Sequence, residues 1–157
     1  MADLFDNPMG TDGFEFIEYT APDAAAFGIH FETMGFRAVA RHRSKDVTLY
    51  RQNDVNFIVN AESDSHGAGF AQAHGPSACA MAFRVKDAGK TLAMALEKGA
   101  KPVQGKVEPR ALSIPAIEGI GRSVIYFVDR YAPGGVSIHV IDFVAPEAVR
   151  GFTRNGA

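Results

Sequence analysis

The hydrophobic pattern of this chain starts twice. GFEFIEYT (13–20) alternates aromatic residues around Glu15 and predicts a strand. Thr20 and Asp23, with Pro22 between them, mark a helix start. Phe27, Phe31 and Met34 then recur on one helical face, and Gly35 supplies a left-handed stop. FRAVARHR (36–43) and VTLYRQ (47–52) read as strands, and Asn53-Asp54 turns the second into VNFIVNA (55–61). ESDSHGAGFAQA is a polar, glycine-containing crossover with room for one helical turn.

SACAMAFRV (77–85) then begins the pattern again as a buried strand. Asp87 caps a helix with Ala88, Leu92, Ala95 and Leu96 on its apolar face, and Gly99 and Pro102 end it. A constant shift of 64 positions pairs the capping aspartates Asp23 and Asp87, the stop glycines Gly35 and Gly99, Ala24 with Ala88, and Val39 with Val103. Cap, stop and following strand all agree, so the chain reads as a duplicated βαβββ unit. The second copy carries an insertion near 107–121, then a hairpin of RSVIYFVD (122–129) and VSIHVIDF (136–143). The expected organisation is an arm at 1–12, one domain at 13–143 built from modules 13–61 and 77–143, and a linker at 144–157. The fold class is α+β: two tandem βαβββ modules, each a curved four-stranded sheet with a helix outside. This is the vicinal-oxygen-chelate arrangement, similar to the glyoxalase and bleomycin-resistance folds.

Composition narrows the partners. The 157 residues are 46% hydrophobic and 22% charged, with net charge −2. That balance leaves no electrostatic footprint for nucleic acid or an anionic membrane. A single cysteine, Cys79, excludes an internal disulfide framework and fits a reducing compartment. The N-terminus has acids where a secretory signal needs basic residues, and no segment approaches the roughly 20 apolar residues of a membrane span. The expectation is a soluble cytoplasmic protein.

Two such modules enclose a cleft where equivalent strands of both halves could hold a metal. An iron(II) oxygenase needs two His and one carboxylate on one face. The first strand offers Glu15 or Glu18, placed on opposite faces by their spacing of three, and the last strand offers His139. The fourth strand has only Asn56 and Asn60, and the fifth only Ser77 and Cys79. Two ligands from four strands is one short, so the expectation is no metal, catalytic or cofactor-binding residue within this chain. Glu15 and Glu18 are expected to face solvent rather than act as an acid/base pair. His30, His42, His66 and His74 form no metal-binding spacing, and Cys79 reads as an inert core thiol.

Residues alone therefore stop at fold; resemblance goes further. HGPSACAMAFRVKDA (74–88) resembles the segment that opens the second module of the N-terminal domain of bacterial-type 4-hydroxyphenylpyruvate dioxygenases. MADLFDNPMG with GFEFIEY, MGFRAVARHRSKDVTLYRQNDVNFIVN, LSIPAIEGIG with VIYFVDRY, and SIHVIDFV are similar to further blocks of that family, in the same order. The resemblance covers about four-fifths of the chain. It implies a parent enzyme that uses iron(II) and oxygen to convert 4-hydroxyphenylpyruvate to homogentisate and CO2 in tyrosine breakdown. It also implies that the iron ligands lie in a C-terminal catalytic domain beyond Ala157. This half would then pack against that domain, take part in homo-oligomer assembly, and be inactive alone. Within the family, 4-hydroxymandelate synthase is the alternative. Outside it, the alternatives are a stand-alone module binding a small aromatic, and a glyoxalase-like metalloenzyme using Glu15 or Glu18 with His139.

Overall fold

A computed structural model describes residues 6–21, 23–103, 113–131 and 137–145. The first module is β1 (Thr11–Thr20), α1 (Ala24–Thr33), β2 (Arg37–His42), β3 (Val47–Gln52) and β4 (Val55–Asn60). A helix, α2 (His66–His74), leads to the second module: β5 (Ser77–Val85), α3 (Ala88–Glu97), β6 (Ala116–Glu118) and β7 (Val124–Val128). A short helix, α4 (Ile138–Asp142), and a two-residue strand, β8 (Phe143–Val144), follow.

The repeat is visible in the backbone. Asp23 Oδ1 accepts from the amides of Ala25 and Ala26, and Asp87 Oδ1 from that of Lys90, so each module's helix opens on its aspartate. Gly35 and Gly99 both stop their helices at φ +92°, a conformation that costs a side-chain-bearing residue steric strain. In each module the first strand pairs in parallel with the last. Ile17 faces Phe57, and Met81, 64 positions on from Ile17, faces Ile125. The fold is thus α+β and glyoxalase-like, a complete βαβββ unit followed by a second whose strand after α3 is reduced to the Pro102–Ile117 bridge.

Several boundaries differ from expectation. The two modules share one eight-stranded sheet, ordered β6-β7-β5-β1-β4-β3-β2-β8, because β1 and β5 pair antiparallel and join the halves. β1 begins at Thr11, inside the expected arm. Met9 O accepts from Thr91 Oγ1 and Gly10 O from the Lys86 amide, so the lead-in is tied to the second module. The crossover folds into the nine-residue α2, capped by Ser65. The region expected as an insertion contains β6, which pairs antiparallel with β7, while 104–112 lies outside the described residues. The strand expected at 136–143 is α4 followed by β8. Its place beside β5 is taken by β7, and β8 pairs instead with β2 at the far edge of the sheet. Most of the expected linker, 146–157, also lies outside the described residues.

Helices cover both faces of the sheet. On the outer face α1 packs Phe31 against Phe36 and Val59, and α3 packs Ala88 and Ala95 against Val85 and Phe127. On the inner face Phe16, Val47, Leu49, Ile58, Ala82 and Val128 form the core that receives Ile138 from α4. Ile138 is buried to 6% exposure, which anchors the short helix by about 2 kcal/mol. That inner face carries the polar cluster described next.

Candidate functional site: a buried ion cluster and the cleft beside it

Glu15 reaches the inner face because β1 is irregular there. Phe14 faces Phe83 and Phe16 faces Ala82, so two steps along β1 match one along β5, and Glu15 is the extra residue of a bulge. The bulge carries Glu15 to the side that Phe16 and Glu18 share, where simple alternation would have sent it away. Glu15 is 3% exposed. Its Oε2 accepts from Arg84 Nε at 2.5 Å, and its Oε1 lies 3.0 Å from His139 Nε2 on α4. The Glu15 carbonyl accepts from Asn56 Nδ2 at 2.9 Å, and Asn56 Oδ1 accepts from Arg51 Nε at 2.7 Å. The Arg84 guanidinium carbon sits 5.5 Å from the centre of the Tyr131 ring, whose hydroxyl donates to Asp12.

Burial alone would push the Glu15 carboxyl up, but the His139 and Arg84 contacts outweigh it and hold it below the usual carboxylate range. His139 is 6% exposed, and its ring nitrogens have no aligned hydrogen bond among the described residues. Nε2 thus approaches Glu15 Oε1 without the alignment of a directed bond.

Glu18 lies apart, half-buried, and its Oε1 accepts from Asn60 Nδ2 at 2.8 Å. Burial raises its carboxyl above the usual range. Cys79, the extra residue of a second bulge, is 1% exposed, and burial with Glu18 nearby pushes its thiol up to about 12. Such a thiol is protonated at neutral pH and a poor nucleophile. Tyr126 is pushed up by burial and the same Glu18. His30, His66 and His74 are exposed, and His42 Nδ1 accepts from the Ser44 amide.

The structure therefore brings Glu15 and His139 together and leaves Glu18 outside. Two sequence expectations change. Neither Glu15 nor Glu18 is turned out to solvent, and the two lie on the same face of the sheet. The partner that sequence reasoning missed is Arg84. A lone arginine in an otherwise apolar strand was the signal, since a buried guanidinium needs a carboxylate. Iron(II) does not fit this donor set. The Glu15 carboxylate already holds a cation in Arg84, only one imidazole stands beside it, and no group of three His, Cys, Asp or Glu is clustered among the described residues.

Beside the cluster a cleft of about 510 Å³ opens, lined by the apolar Val39, Ala40 and Leu49 and by the polar Arg51, Arg84 and Ser137.

The family model described as hydroxyphenylpyruvate dioxygenase (HPPD), N-terminal, matches residues 5–144. A 4-hydroxyphenylpyruvate dioxygenase of Pseudomonas sp. (strain P.J. 874) is 52% identical over 148 residues, 94% of this chain and 41% of the relative. Hemolysin VllY of Vibrio vulnificus is 54% identical over 142 residues, 87% of this chain and 39% of the relative. The chain thus spans about two-fifths of the curated relatives it matches. A solved fusion protein of a xylose isomerase-like TIM barrel and 4-hydroxyphenylpyruvate dioxygenase superposes with TM-score 0.78 at 36% identity, covering 92% of this chain and 24% of the other.

Proposed function

The chain belongs to the N-terminal family of hydroxyphenylpyruvate dioxygenases, and from that premise we propose that it is the non-catalytic half of such an enzyme. The parent would convert 4-hydroxyphenylpyruvate and oxygen to homogentisate and CO2 in tyrosine breakdown, with iron(II) and substrate held by the rest of the protein. This half would supply a packing surface for the catalytic part and for assembly into a homo-oligomer, in the cytoplasm. The observation that carries the reading is the Glu15–Arg84 pair. Where an oxygen-activating centre needs an uncommitted carboxylate, this site has one neutralised by a guanidinium 2.5 Å away. In place of a ligand set, β1, β5 and α4 are joined by a structural ion cluster.

Purified alone and supplied with iron(II) and ascorbate, the chain is expected to form no homogentisate and to retain no stoichiometric iron after desalting. Turnover would overturn the non-catalytic reading. Retained iron that is lost in a Glu15→Gln variant would favour instead a glyoxalase-like metal site at Glu15 and His139.

A further inference from the structure

We infer that the inner-face cleft is a binding site for a small monocarboxylate with an apolar body, gripped by Arg51 and Arg84. The bonding capacity of the lining points there. Glu15 Oε2 is engaged by Arg84 Nε, and Oε1 is turned to the buried His139 ring 3.0 Å away. Both ends of the Asn56 amide are engaged as well. Arg51 and Arg84 each use only Nε, so their terminal amines have no hydrogen-bond acceptor among the described residues. Ser137 accepts from the His139 amide and still has a proton to donate. Polar capacity facing the cleft is thus mainly donor capacity, carried on two planar forks that suit a carboxylate.

Val39, Ala40 and Leu49 also line the cleft and offer apolar surface to the ligand's body. The Tyr131 ring lies 5.5 Å from the Arg84 guanidinium carbon. Asp54, on the turn between β3 and β4, also lines the cleft, and its charge disfavours a second carboxylate on the ligand. A volume of about 510 Å³ accommodates a ligand of one ring and a short chain. Such a site would exist whatever reaction the parent performs.

The test uses 3-phenylpropionate and its neutral isostere 3-phenylpropionamide as probes, followed by calorimetry and by amide chemical shifts. The acid is expected to bind with Kd of about 1 mM or tighter and to shift the amides of Arg51, Asn53 and Ser137. The amide is expected to bind about tenfold more weakly. Arg51→Gln is expected to weaken the acid about tenfold, and Arg51→Lys less, in variants whose folding is confirmed by thermal unfolding, since Arg51 also bonds the buried Asn56. Absence of saturable binding, equal binding of acid and amide, or full affinity in Arg51→Gln would each overturn the site. The acid–amide comparison on the unaltered chain keeps the test decisive if the variants fold poorly.

Discussion

At the scale of the residue, Glu15 is the hinge of the inner face, and two acids on one strand carry opposite pH signatures. The folded pKa of Glu15 lies below its unfolded value. Its stabilising contribution is therefore present above the unfolded pKa and is lost as pH falls through the folded one. The folded pKa of Glu18 lies above its unfolded value. The native state holds that proton more tightly, so stability is lost as pH rises through the folded pKa. Urea unfolding followed between about pH 3 and 7 should separate the two. Glu15→Gln should flatten the acid limb, whereas Glu18→Gln should raise stability at neutral pH while keeping an acceptor for Asn60. Removing Arg84 is the harsher change. Arg84→Met should destabilise by about 3 kcal/mol, because it strands a buried carboxylate beside His139 alone. Little of this was legible in sequence. Glu15 and Arg84 are 69 positions apart, and the bulge that turns Glu15 inward leaves no mark in the alternation.

At the scale of the element, the two module helices were legible because their signals are local. A capping aspartate bonds amides two or three residues on, and a stop glycine needs only its own φ. Asp87→Ala should cost about 1 kcal/mol in chemical unfolding. The stop glycines should differ from each other. At Gly99 an added Cβ meets nothing within 4 Å, so Gly99→Ala should cost about 1 kcal/mol from backbone strain alone. At Gly35 the Cβ would come within 2.6 Å of Gln52 Nε2, which donates to Met34 O. Gly35→Ala should therefore cost about 2 kcal/mol, the strain plus that hydrogen bond. Equal losses at the two sites would contradict this account. The element that misled is α4. VSIHVIDF alternates like a strand, yet Ser137 caps a helical turn there and Ile138 enters the inner core. Whether such a segment pairs or coils depends on whether a sheet edge remains open beside it, and β7 had already taken the place next to β5.

At the scale of the whole molecule, the shared sheet sets the cooperativity. β1 pairs with β4 of its own module and with β5 of the other, so neither module can lose its first strand without disturbing its neighbour. Heating should give a single transition with far-UV and near-UV signals coincident, and two separated transitions would mean that the modules fold independently. The lead-in strengthens the join, since Met9 and Gly10, just before β1, bond to Thr91 and Lys86 of the second module. Within the second module, Asp129, just past β7, accepts from the Ala88 amide at the start of α3.

The sequence by itself determined the duplication, both module helices with their caps and stops, most strands of the first module, and the family. Each of these rests on residues close together in the chain or on blocks in a fixed order. Only the tertiary structure decided how the modules join, where the last segment goes, and what Glu15 faces. Those outcomes follow from competition among distant segments for one sheet edge, and from a one-residue bulge that reverses a side chain without changing the pattern that predicts it. The inner face is where both effects meet, and it became an ion cluster beside a cleft for that reason.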